Sequence, residues 1–268
     1  MSDRYCVIGN PVAHSKSPVI HAAFAAQTGQ ELAYDRCLAP LDAFAATVQG
    51  LIDAGCKGAN VTVPFKLDAA ALADTLSDRA HAAGAVNTLS FTADGIAGDN
   101  TDGAGLVNDI LNNAGVSIAG KRVLLVGAGG AARGVVLPLL QQAPRELVIA
   151  NRTFATAGAL ALRFGGVTSA CEFADLAGQF DIVINATSAS LAGEVPPVPA
   201  GVFGAGTLAL DMMYGSEPTP FMRLAAGHGA NARDGLGMLV EQAAEAFFIW
   251  RGVRPETAAV LASLRMPA

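Results

Sequence analysis

A glycine-rich segment near the middle of the chain has the composition of a phosphate-binding turn. Its sequence is Gly127-Ala128-Gly129-Gly130-Ala131-Ala132, and it follows directly after an apolar run over residues 123–126. The first glycine permits a tight turn from a strand into a helix, and the second lets the backbone approach a pyrophosphate. Free N–H groups at the start of the helix then face the anion. The pattern predicts a dinucleotide site on a strand–turn–helix unit.

The end of the next apolar run indicates which dinucleotide this site prefers. An NAD site normally has Asp or Glu there to bind the ribose hydroxyls. In this chain residues 147–150 are followed by Asn151, Arg152 and Thr153. A carboxylate would repel a 2′-phosphate, whereas a guanidinium pairs with it, so we expect NADP. The alternative is a glycine turn in an ordinary α/β sheet with Arg152 at a helix start. This alternative does not explain why neither Asp nor Glu stands at the end of the second apolar run.

Polar side chains are concentrated in four short segments of the first part of the chain. These segments are His14–Pro18, Asn60–Lys66, Ala85–Thr88 and Gly98–Gly103. Each lies close to the end of a predicted strand, where open α/β sheets bind ligands. They offer mostly hydroxyls and amides, together with an ammonium and a carboxylate. This mixture suits a small polyhydroxylated acid, because each buried hydroxyl needs a donor or an acceptor.

The elements that must position these groups follow the alternation of short apolar runs with Ala-rich segments that is typical of βαβ units. The predicted strands are Tyr5–Ile8, Leu32–Cys37, Gly58–Val63, Asn87–Phe91, Val123–Val126, Leu147–Ala150, Asp181–Asn185 and Leu208–Met212. The predicted helices are Pro18–Gln27, Leu41–Ala54, Asp68–Ala82, Thr101–Ala114 and Gly237–Trp250. For the first helix we predict Ser17 as the N-cap and Pro18 as the first helical residue.

This series predicts an α/β protein of two domains with a cleft between them. An N-terminal α/β substrate domain with a mainly parallel sheet comprises residues 1–102 and 237–268. A Rossmann-like, doubly wound nucleotide-binding domain comprises residues 103–236. The helices Thr101–Ala114 and Gly237–Trp250 would carry the chain across and back. A substrate bound in the cleft would face the nicotinamide.

Composition is that of an enzyme-sized protein and argues against two classes of partner. The chain has 268 residues, and 52% of them are hydrophobic. Its net charge is −6 and it contains no run of basic residues, so we expect no nucleic-acid partner. We expect no signal peptide, because the N-terminal residues lead straight into a short apolar run, and the apolar stretch Leu239–Trp250 contains Glu241 and Glu245. We therefore expect no membrane span and a cytoplasmic location.

Cysteine and histidine spacing gives no indication of a metal site. The four cysteines, Cys6, Cys37, Cys56 and Cys171, lie far apart in the sequence and form no CxxC pair. The four histidines lack the spacing of a metal-binding helix. We expect reduced thiols and no metal cofactor.

Taken together, the motifs closely resemble those of the shikimate dehydrogenase family. The resemblance covers nearly the whole chain and is carried by GNPVAHSKSP, NVTVPFK, GAVNT, GDNTDG, the glycine loop, NATS, DMMY and DGLGMLVEQ. It implies the reversible, NADPH-dependent reduction of 3-dehydroshikimate to shikimate, a step towards chorismate and the aromatic amino acids. The implied partners are these small molecules, and the implied assembly is a monomer or a homodimer.

The resemblance also implies a role for individual residues. Lys66 and Asp102 match the family's catalytic pair, and Ser15 and Ser17 would bind the substrate carboxylate. The residues implied to hold the ring hydroxyls and carboxylate are Asn60, Thr62, Asn87, Tyr214 and Gln242. Those implied to bind the cofactor are Gly127, Ala128, Gly129, Gly130 and Ala131 at the pyrophosphate, Asn151, Arg152 and Thr153 at the ribose phosphate, and Thr187, Ser188, Met213 and Gly237 beside the nicotinamide.

A mechanism for the pair follows from charge. Hydride arriving at a carbonyl carbon leaves a developing alkoxide, which a nearby ammonium stabilises and then protonates. We hypothesise that Lys66 is this acid and that Asp102 chiefly orients it. Taken singly, Lys66 resembles a solvated helix-start residue and Asp102 a helix cap.

Two positions depart from the family pattern, and two other functions stay open. Thr156 stands where NADP-specific relatives often have a second basic residue, and Ser190 stands where a glycine is common. One alternative is an NAD-linked quinate/shikimate dehydrogenase, against which the missing acid counts. The other is a non-catalytic nucleotide-binding protein, which would have no need of the proton donor Lys66.

Overall fold

Apolar strands alternating with helices build two separate sheets, each with its own core. The computed structural model describes residues 2–266, except for the side chains of Leu191 and Ala192. By contact density the first unit consists of the residues up to Leu106 together with those from Leu239 onward, and the second of residues 107–238. The predicted α/β class is confirmed.

The first unit is built on a six-stranded mixed sheet with the strand order β2-β1-β3-β5-β6-β4. Three of its five strand pairs are parallel and two are antiparallel, so the sheet is mainly parallel as predicted. The elements are β1 (Asp3–Gly9), α1 (Ser17–Thr28), β2 (Leu32–Leu38), α2 (Phe44–Asp53), β3 (Cys56–Val61), α3 (Lys66–Leu72), β4 (Thr75–Leu76), α4 (Asp78–Ala83), β5 (Thr88–Thr92) and β6 (Gly95–Asp99).

The hairpin formed by β5 and β6 brings distant polar segments to one edge of this sheet. Strand β5 runs antiparallel to β3 and to β6. Its beginning therefore lies beside the ends of β3 and β6. Asn87, which precedes β5, is thus placed next to the residues that follow Val61 and Asp99. Strand β6 was missed in the sequence, because its short, Gly-containing run lacks the apolar pattern of a strand.

One predicted helix, Asp68–Ala82, is wrong. The structure divides it into α3 and α4, with the short strand β4 between them. Thr75 and Leu76 pair with Ala97 and Gly98 of β6. The Ser77 hydroxyl then accepts a hydrogen bond from the Ala80 N–H at 3.2 Å and begins a new helix. Sheet pairing thus outweighs the helical propensity of this Ala-rich segment.

The start of α1 also differs from the prediction. Lys16, not Ser17, is the N-cap residue, and no side chain caps the helix there. Ser17 is the first helical residue, and its N–H donates to the Ser15 hydroxyl at 3.3 Å. A serine two positions before the helix start therefore takes over part of the capping function.

The second unit contains a wholly parallel sheet with the strand order β12-β11-β10-β7-β8-β9. Its elements are β7 (Arg122–Val126), α6 (Gly130–Leu140), β8 (Glu146–Ala150), α7 (Phe154–Phe164), β9 (Thr168–Cys171), β10 (Ile182–Asn185), β11 (Leu208–Asp211), α8 (Pro220–Gly227) and β12 (Asn231–Arg233), with short 3₁₀ turns at Phe173–Asp175, Ala189–Ala192 and Ala200–Val202.

This strand order is that of a dinucleotide-binding fold. Counted along the chain, the strands lie in the order third, second, first, fourth, fifth and sixth, and the winding reverses between β7 and β10. Strands such as β10 and β11 are buried at every residue, as expected where both faces of a parallel sheet are covered. Their side chains pack in a core that includes Leu124, Val183 and Phe221.

Two helices carry the chain between the units. Helix α5 (Asp102–Asn108) leads out of the first unit and continues as a π-helical turn at Asp109–Asn113. Helix α9 (Leu236–Arg251) leads back, and α10 (Ala258–Arg265) follows it. Within residues 2–266, no helix combines the length and apolarity that crossing a membrane requires.

Candidate active site

An ion pair between Lys66 and Asp102 lies at the edge of the first sheet where β3 and β6 end. Lys66 is the first residue of α3 and Asp102 the first of α5. The Lys66 Nζ donates to Asp102 Oδ2 at 2.5 Å. The side chains are only 19% and 8% exposed, although a lysine at a helix start is usually solvated. The pair is therefore a partly desolvated proton donor held by a carboxylate.

Asparagines on neighbouring segments fix the orientation of this carboxylate. The Asn87 amide donates to Asp102 Oδ1 at 2.8 Å, on the oxygen that Lys66 leaves free. The Asp102 N–H donates to the Asn100 side chain at 3.2 Å, and Asn100 in turn donates to the Ala85 carbonyl at 2.9 Å. Both carboxylate oxygens are thus engaged, so the direction of the Asp102 side chain is set by its surroundings.

Gln242 of α9 joins the same cluster. Its side-chain oxygen accepts from the Asn87 amide at 3.3 Å and from the Thr101 hydroxyl at 3.4 Å. Its amide nitrogen donates to the Leu239 carbonyl at 2.8 Å, which fixes the orientation of the side chain. A returning helix could equally have turned this glutamine to solvent, so its position here is a result of the structure.

A second branch of the network leads from Asn87 to Asn60 and Tyr34. The Asn60 amide donates to the Asn87 carbonyl at 3.2 Å and to the Thr88 hydroxyl at 3.1 Å. The Tyr34 hydroxyl donates to the Asn60 side-chain oxygen at 2.7 Å. Burial raises the pKa of Tyr34 well above its usual value, so this phenol stays a neutral donor.

The three remaining site residues predicted in the first unit are hydroxyls. Ser15 and Ser17 lie next to each other at the start of α1, with 3.2 Å between their hydroxyl oxygens. Thr62 follows β3, and its N–H donates to the Ile8 carbonyl at 2.9 Å. Ser15, Ser17 and Thr62 make no hydrogen bond to Lys66 or Asp102 among those found for residues 2–266, but all three follow strands that end at the same edge.

A network of ions braces the segments that carry Asp102 and Gln242. The Arg79 guanidinium forms two hydrogen bonds to Asp99, at 2.7 and 3.0 Å, and a third to Glu245 at 2.9 Å. Asp99 ends β6 and accepts from the Asn100 N–H at 2.6 Å, while Glu245 lies one turn beyond Gln242 on α9. Burial raises the pKa of Asp99 and of Glu245, but hydrogen bonds, above all from arginine, outweigh it, and both pKa values are lowered.

In the second unit the glycine segment forms the turn between β7 and α6. Gly127 has a φ of +113°, which favours glycine, and a Cβ there would lie 3.2 Å from Thr187 Cγ2 and from the Ala186 carbonyl carbon. A Cβ on Gly129 or Gly130 would meet nothing within 4 Å. The turn is therefore closed on the side of residues 186–187 and open at the N-terminus of α6, where an anion is favoured.

The segment after β8 presents an exposed guanidinium. Asn151 donates to the Thr153 carbonyl at 3.0 Å and shapes the turn, and Thr153 is the N-cap of α7. Arg152 is exposed, and no hydrogen bond or ion pair joins it to another residue of the described part of the chain. Its charge is therefore available to an anion from outside.

Thr187, Ser188 and Met213 follow the next two strands of this sheet. The Thr187 hydroxyl and N–H donate to the Asn185 side-chain oxygen at 2.7 and 3.1 Å. The Met213 N–H donates to Asp211 at 3.0 Å. Ser188 is the N-cap of the 3₁₀ turn Ala189–Ala192. These residues thus follow the carboxyl ends of β10 and β11, beside the glycine turn.

Gly237 and Tyr214 complete the predicted set. A Cβ on Gly237 would overlap the Asp109 carboxylate, so the close approach of that side chain favours glycine at this position of α9. Tyr214 belongs to the second unit, where it lies just after β11 and is half-buried. Burial raises its pKa, so it is a neutral hydroxyl.

Sequence reasoning missed several side chains of these networks. Thr101 and Thr88 are buried and connect predicted site residues to each other, and Tyr34 holds Asn60. Asp211 is also buried and holds the predicted Met213. Thr101 and Asp211 lie within the motifs GDNTDG and DMMY, and this position is the sequence signal that could have identified them. Tyr34 lies in β2 and carries no such signal.

Models of known families match three parts of the chain. Residues 7–89 match the shikimate dehydrogenase substrate binding domain, residues 107–192 match shikimate / quinate 5-dehydrogenase, and residues 235–265 match the shikimate 5′-dehydrogenase C-terminal domain. A shikimate dehydrogenase (NADP(+)) of Herminiimonas arsenicoxydans is 66% identical over 267 residues, which cover 99% of this chain and 98% of that protein. The chain belongs to the shikimate dehydrogenase family. The predicted resemblance is therefore confirmed.

Two solved structures are similar to nearly the whole chain. An Ael1 enzyme from Pseudomonas putida has a TM-score of 0.95 at 51% identity, with 99% of both chains covered. Shikimate 5-dehydrogenase from Thermus thermophilus, solved in complex with NADP(H) and shikimate, has a TM-score of 0.89 at 33% identity, with 98% of both chains covered. The shikimate dehydrogenase fold therefore extends across both units.

Proposed function

We propose that this protein is an NADP-dependent shikimate dehydrogenase that reversibly reduces 3-dehydroshikimate to shikimate. The observation that carries the proposal is the Lys66–Asp102 pair, a partly buried ammonium held at 2.5 Å by a carboxylate within a cluster of amides and hydroxyls. An acid that protonates a developing alkoxide must be both charged and oriented, and this pair meets both requirements. The relatives at 58–66% identity carry the same activity in their names.

The neutral groups around the pair are suited to a ring that carries several hydroxyls. In this proposal Asn60, Asn87 and Gln242 hold the ring hydroxyls, because an amide both donates and accepts. Thr62 and Tyr214 contribute hydroxyls to the same ligand. Ser15 and Ser17 would bind the substrate carboxylate at the start of α1, where the helix dipole favours an anion.

Proton transfer is assigned to Lys66. When NADPH is bound, its nicotinamide supplies the hydride for the reduction. Lys66 Nζ then donates a proton to the carbonyl oxygen as negative charge develops there, and the neutral amine takes the proton back in the oxidation. Asp102 accepts a hydrogen bond from Lys66 through one oxygen and from Asn87 through the other. These two bonds hold the Lys66 ammonium in one orientation.

The second unit fits NADP in three respects. The glycine turn is open at the N-terminus of α6, where a pyrophosphate would meet backbone N–H groups. Arg152 supplies a guanidinium for a 2′-phosphate, and no acid stands beside it to bind a free ribose. Residues that would hold the cofactor are Gly127, Ala128, Gly129, Gly130 and Ala131 at the pyrophosphate, Asn151, Arg152 and Thr153 at the ribose phosphate, and Thr187, Ser188, Met213 and Gly237 near the nicotinamide.

The division of labour between the units is part of the same proposal. Residues 1–102 and 237–268 would bind and convert the substrate, and residues 103–236 would bind the cofactor. The two units of the structure divide after residues 106 and 238, which is a few residues beyond the boundaries of this proposal and within the same two helices. The cytoplasmic location and the monomeric or dimeric state stay predictions from the sequence.

A spectrophotometric assay tests the proposal. The purified protein is mixed with 3-dehydroshikimate and either NADPH or NADH, and the loss of reduced cofactor is followed by absorbance. We expect oxidation of NADPH and a marked preference over NADH. Absence of oxidation with both cofactors would contradict the proposed activity. A preference for NADH, or for quinate in the reverse direction with NAD, would instead favour the quinate/shikimate dehydrogenase alternative.

A further inference from the structure

A buried carboxylate in the second unit joins three segments and forms no ion pair with any residue of the described part of the chain. Asp211, the last residue of β11, is 0% exposed. Its Oδ2 accepts from the Ser190 hydroxyl at 2.6 Å and from the Thr219 hydroxyl at 2.6 Å. Its Oδ1 accepts from the Asn185 amide at 3.1 Å and from the Met213 N–H at 3.0 Å. Burying a carboxylate is costly unless such bonds are complete, so this arrangement fixes its donors firmly.

The donors belong to three different segments. Asn185 and Ser190 lie at the two ends of the loop that follows β10, and Met213 lies in the segment that follows β11. Thr219 is the N-cap of α8, where its hydroxyl also accepts from the Met222 N–H at 3.2 Å. Asp211 therefore joins the loop 186–190, the segment 212–214 and the start of α8 at one point.

The position of this junction in the sheet indicates which half of the dinucleotide lies beside it. A doubly wound sheet binds a dinucleotide across the point where its winding reverses, here between β7 and β10. Arg152 follows β8, on one side of the glycine turn. The loop 186–190 lies on the other side, since a Cβ on Gly127 would touch Ala186 and Thr187. With the ribose phosphate at Arg152, the nicotinamide half extends over the loop 186–190.

We propose that Asp211 is a positioning residue for the nicotinamide half of the cofactor, and that Ser190 is the side chain through which it holds the loop 186–190. This inference rests on the proposed NADP-dependent function. Ser190 both donates to Asp211 at 2.6 Å and accepts from Asn185 at 3.5 Å, so its hydroxyl closes the loop between its two ends. A residue without a side-chain hydroxyl at this position would leave Asp211 Oδ2 with Thr219 as its one side-chain donor among the described residues. The Ser190 hydroxyl thus holds the loop 186–190 against the end of β11.

Isothermal titration calorimetry with two ligands separates this role from a general structural one. NADPH contacts both halves of the proposed site, whereas adenosine 2′,5′-bisphosphate reaches the half at Arg152 alone. For Ser190→Ala we expect the Kd of NADPH to rise on the order of tenfold, because the variant loses a hydrogen bond to a charged acceptor that orders the loop. The Kd of adenosine 2′,5′-bisphosphate should stay within about twofold of the parent value, because that half of the site is intact.

Two further variants complete the experiment. Ser190→Thr keeps the hydroxyl and should restore most of the NADPH affinity. Ser169→Ala removes an exposed hydroxyl from β9 and should leave both dissociation constants unchanged. An unchanged NADPH affinity in Ser190→Ala, an equal loss in Ser190→Thr, or a parallel loss of both ligands would each overturn the inference. Failure of the parent protein to bind NADPH would overturn the proposed function instead.

Discussion

At the scale of single residues, the side chains that contact the Lys66–Asp102 pair in the first unit are neutral amides. The ammonium of Lys66 and the carboxylate of Asp102 satisfy each other, and the amide of Asn87 supplies a further donor. Because these surrounding groups are neutral, their hydrogen bonds can recognise the hydroxyl groups of a ligand without competition from further charged side chains. In the proposed mechanism proton transfer falls to Lys66, because no other charged donor contacts Asp102 among the described residues.

The role of Arg152 leads to a prediction on cofactor choice. Replacing Arg152 with Ala removes an exposed guanidinium that no other described residue engages. A charge-assisted bond to phosphate is worth about 1.5–3 kcal/mol, so the KM for NADPH should rise about 10- to 100-fold. The KM for NADH should change little, because NADH has no 2′-phosphate. Initial-rate kinetics with both cofactors measure the two values.

Arg145 offers a matched control for this substitution. It is also exposed, but it precedes β8 and so lies at the opposite end of that strand from Arg152. Arg145→Ala should leave both KM values unchanged. Equal losses for NADPH and NADH in Arg152→Ala would show that Arg152 does not read the 2′-phosphate.

The residue types of the site were predictable from the sequence, but their mutual contacts were not. Lys66 and Asp102 are 36 positions apart, and each alone resembles an ordinary helix-start residue. Only the family resemblance singled them out. Thr101 and Tyr34 were missed because a buried hydroxyl shows its function through its partners, and these depend on the three-dimensional fold.

At the scale of elements, the strands of the first sheet end beside the site, and an ion network fixes the segments that follow them. Arg79 of α4 connects the end of β6 to α9, so it acts on the segment before Asp102 and on the helix that carries Gln242. The side chains of Arg79, Asp99 and Glu245 are 24%, 19% and 16% exposed. Removing the guanidinium would leave Asp99 without a cationic partner among the described residues, whereas Glu245 would keep Arg254 at 2.5 Å.

Arg79→Met should therefore destabilise the protein in a pH-dependent way. We expect a loss of about 2–3 kcal/mol in the free energy of unfolding at neutral pH, since a partly buried ion network is broken. The lowered pKa of Asp99, to which Arg79 contributes most among the groups that lower it, gives stability that is present above the unfolded pKa, near 4, and is lost as the pH falls through the folded value. The difference between the parent and Arg79→Met should thus shrink below about pH 4.

Urea denaturation at several pH values measures this difference. Arg4→Met, which removes an exposed arginine from β1, serves as the control and should change stability by less than about 0.5 kcal/mol. A difference between the parent and Arg79→Met that is the same at pH 7 and pH 3.5 would contradict the account of the network.

Element prediction succeeded where the strands are apolar and failed where pairing decides. Strands β7, β8, β10 and β11 were predicted within one residue at each end, because their runs are almost wholly apolar. Strands β4 and β6 were missed because two residues, or a run such as Gly-Ile-Ala-Gly-Asp, become strands only through their neighbours. The N-cap of α1 is Lys16, one position before the predicted Ser17.

At the scale of the whole molecule, each unit has its own core, and the first unit contains an unusual buried histidine. His21 is 0% exposed and stacks on Tyr34 with 4.1 Å between ring centroids. Phe24, Phe247 and Trp250 surround it, within 6.2 Å between ring centroids. Burial lowers the pKa of His21 to about 3, and the nearby Asn60 side chain opposes this only in part. The imidazole is therefore neutral in the folded protein.

This histidine should make the protein acid-sensitive. Above pH 6.5 the imidazole is neutral in both states and contributes nothing to the pH dependence. Below it the unfolded chain binds a proton that the folded state does not, so the free energy of unfolding falls by about 1.4 kcal/mol per pH unit down to about pH 3. In His21→Phe this contribution disappears, and the stability profile between pH 6.5 and 4.5 should be flatter than in the parent.

Denaturation curves at pH 7.5, 6 and 5 test this expectation through the slope, whatever the absolute stability of His21→Phe. His14→Phe replaces an exposed histidine in the same unit and should keep the parent's slope. Identical slopes in the parent and His21→Phe would contradict the burial of a neutral imidazole.

The fold class and the general alternation of strands and helices could be predicted because they depend on apolar periodicity and on one glycine turn. The mixed pairing of the first sheet could not, since the direction of β5 depends on the unrecognised strand β6. The buried polar networks around Asn87 and Asp211 likewise join positions from several elements. Such networks become visible only once the chain is folded.

The most direct test of the account is the turnover of Lys66→Met at saturating 3-dehydroshikimate and NADPH. Loss of the proton donor should lower kcat about 10²- to 10⁴-fold, which is the range attributed to general acid catalysis. The Kd of NADPH, measured by calorimetry, should stay close to that of the parent. Lys57→Met, which removes an exposed lysine from β3, should keep the parent's kcat. A kcat for Lys66→Met within a few-fold of the parent value would contradict the assignment of Lys66 as the catalytic acid.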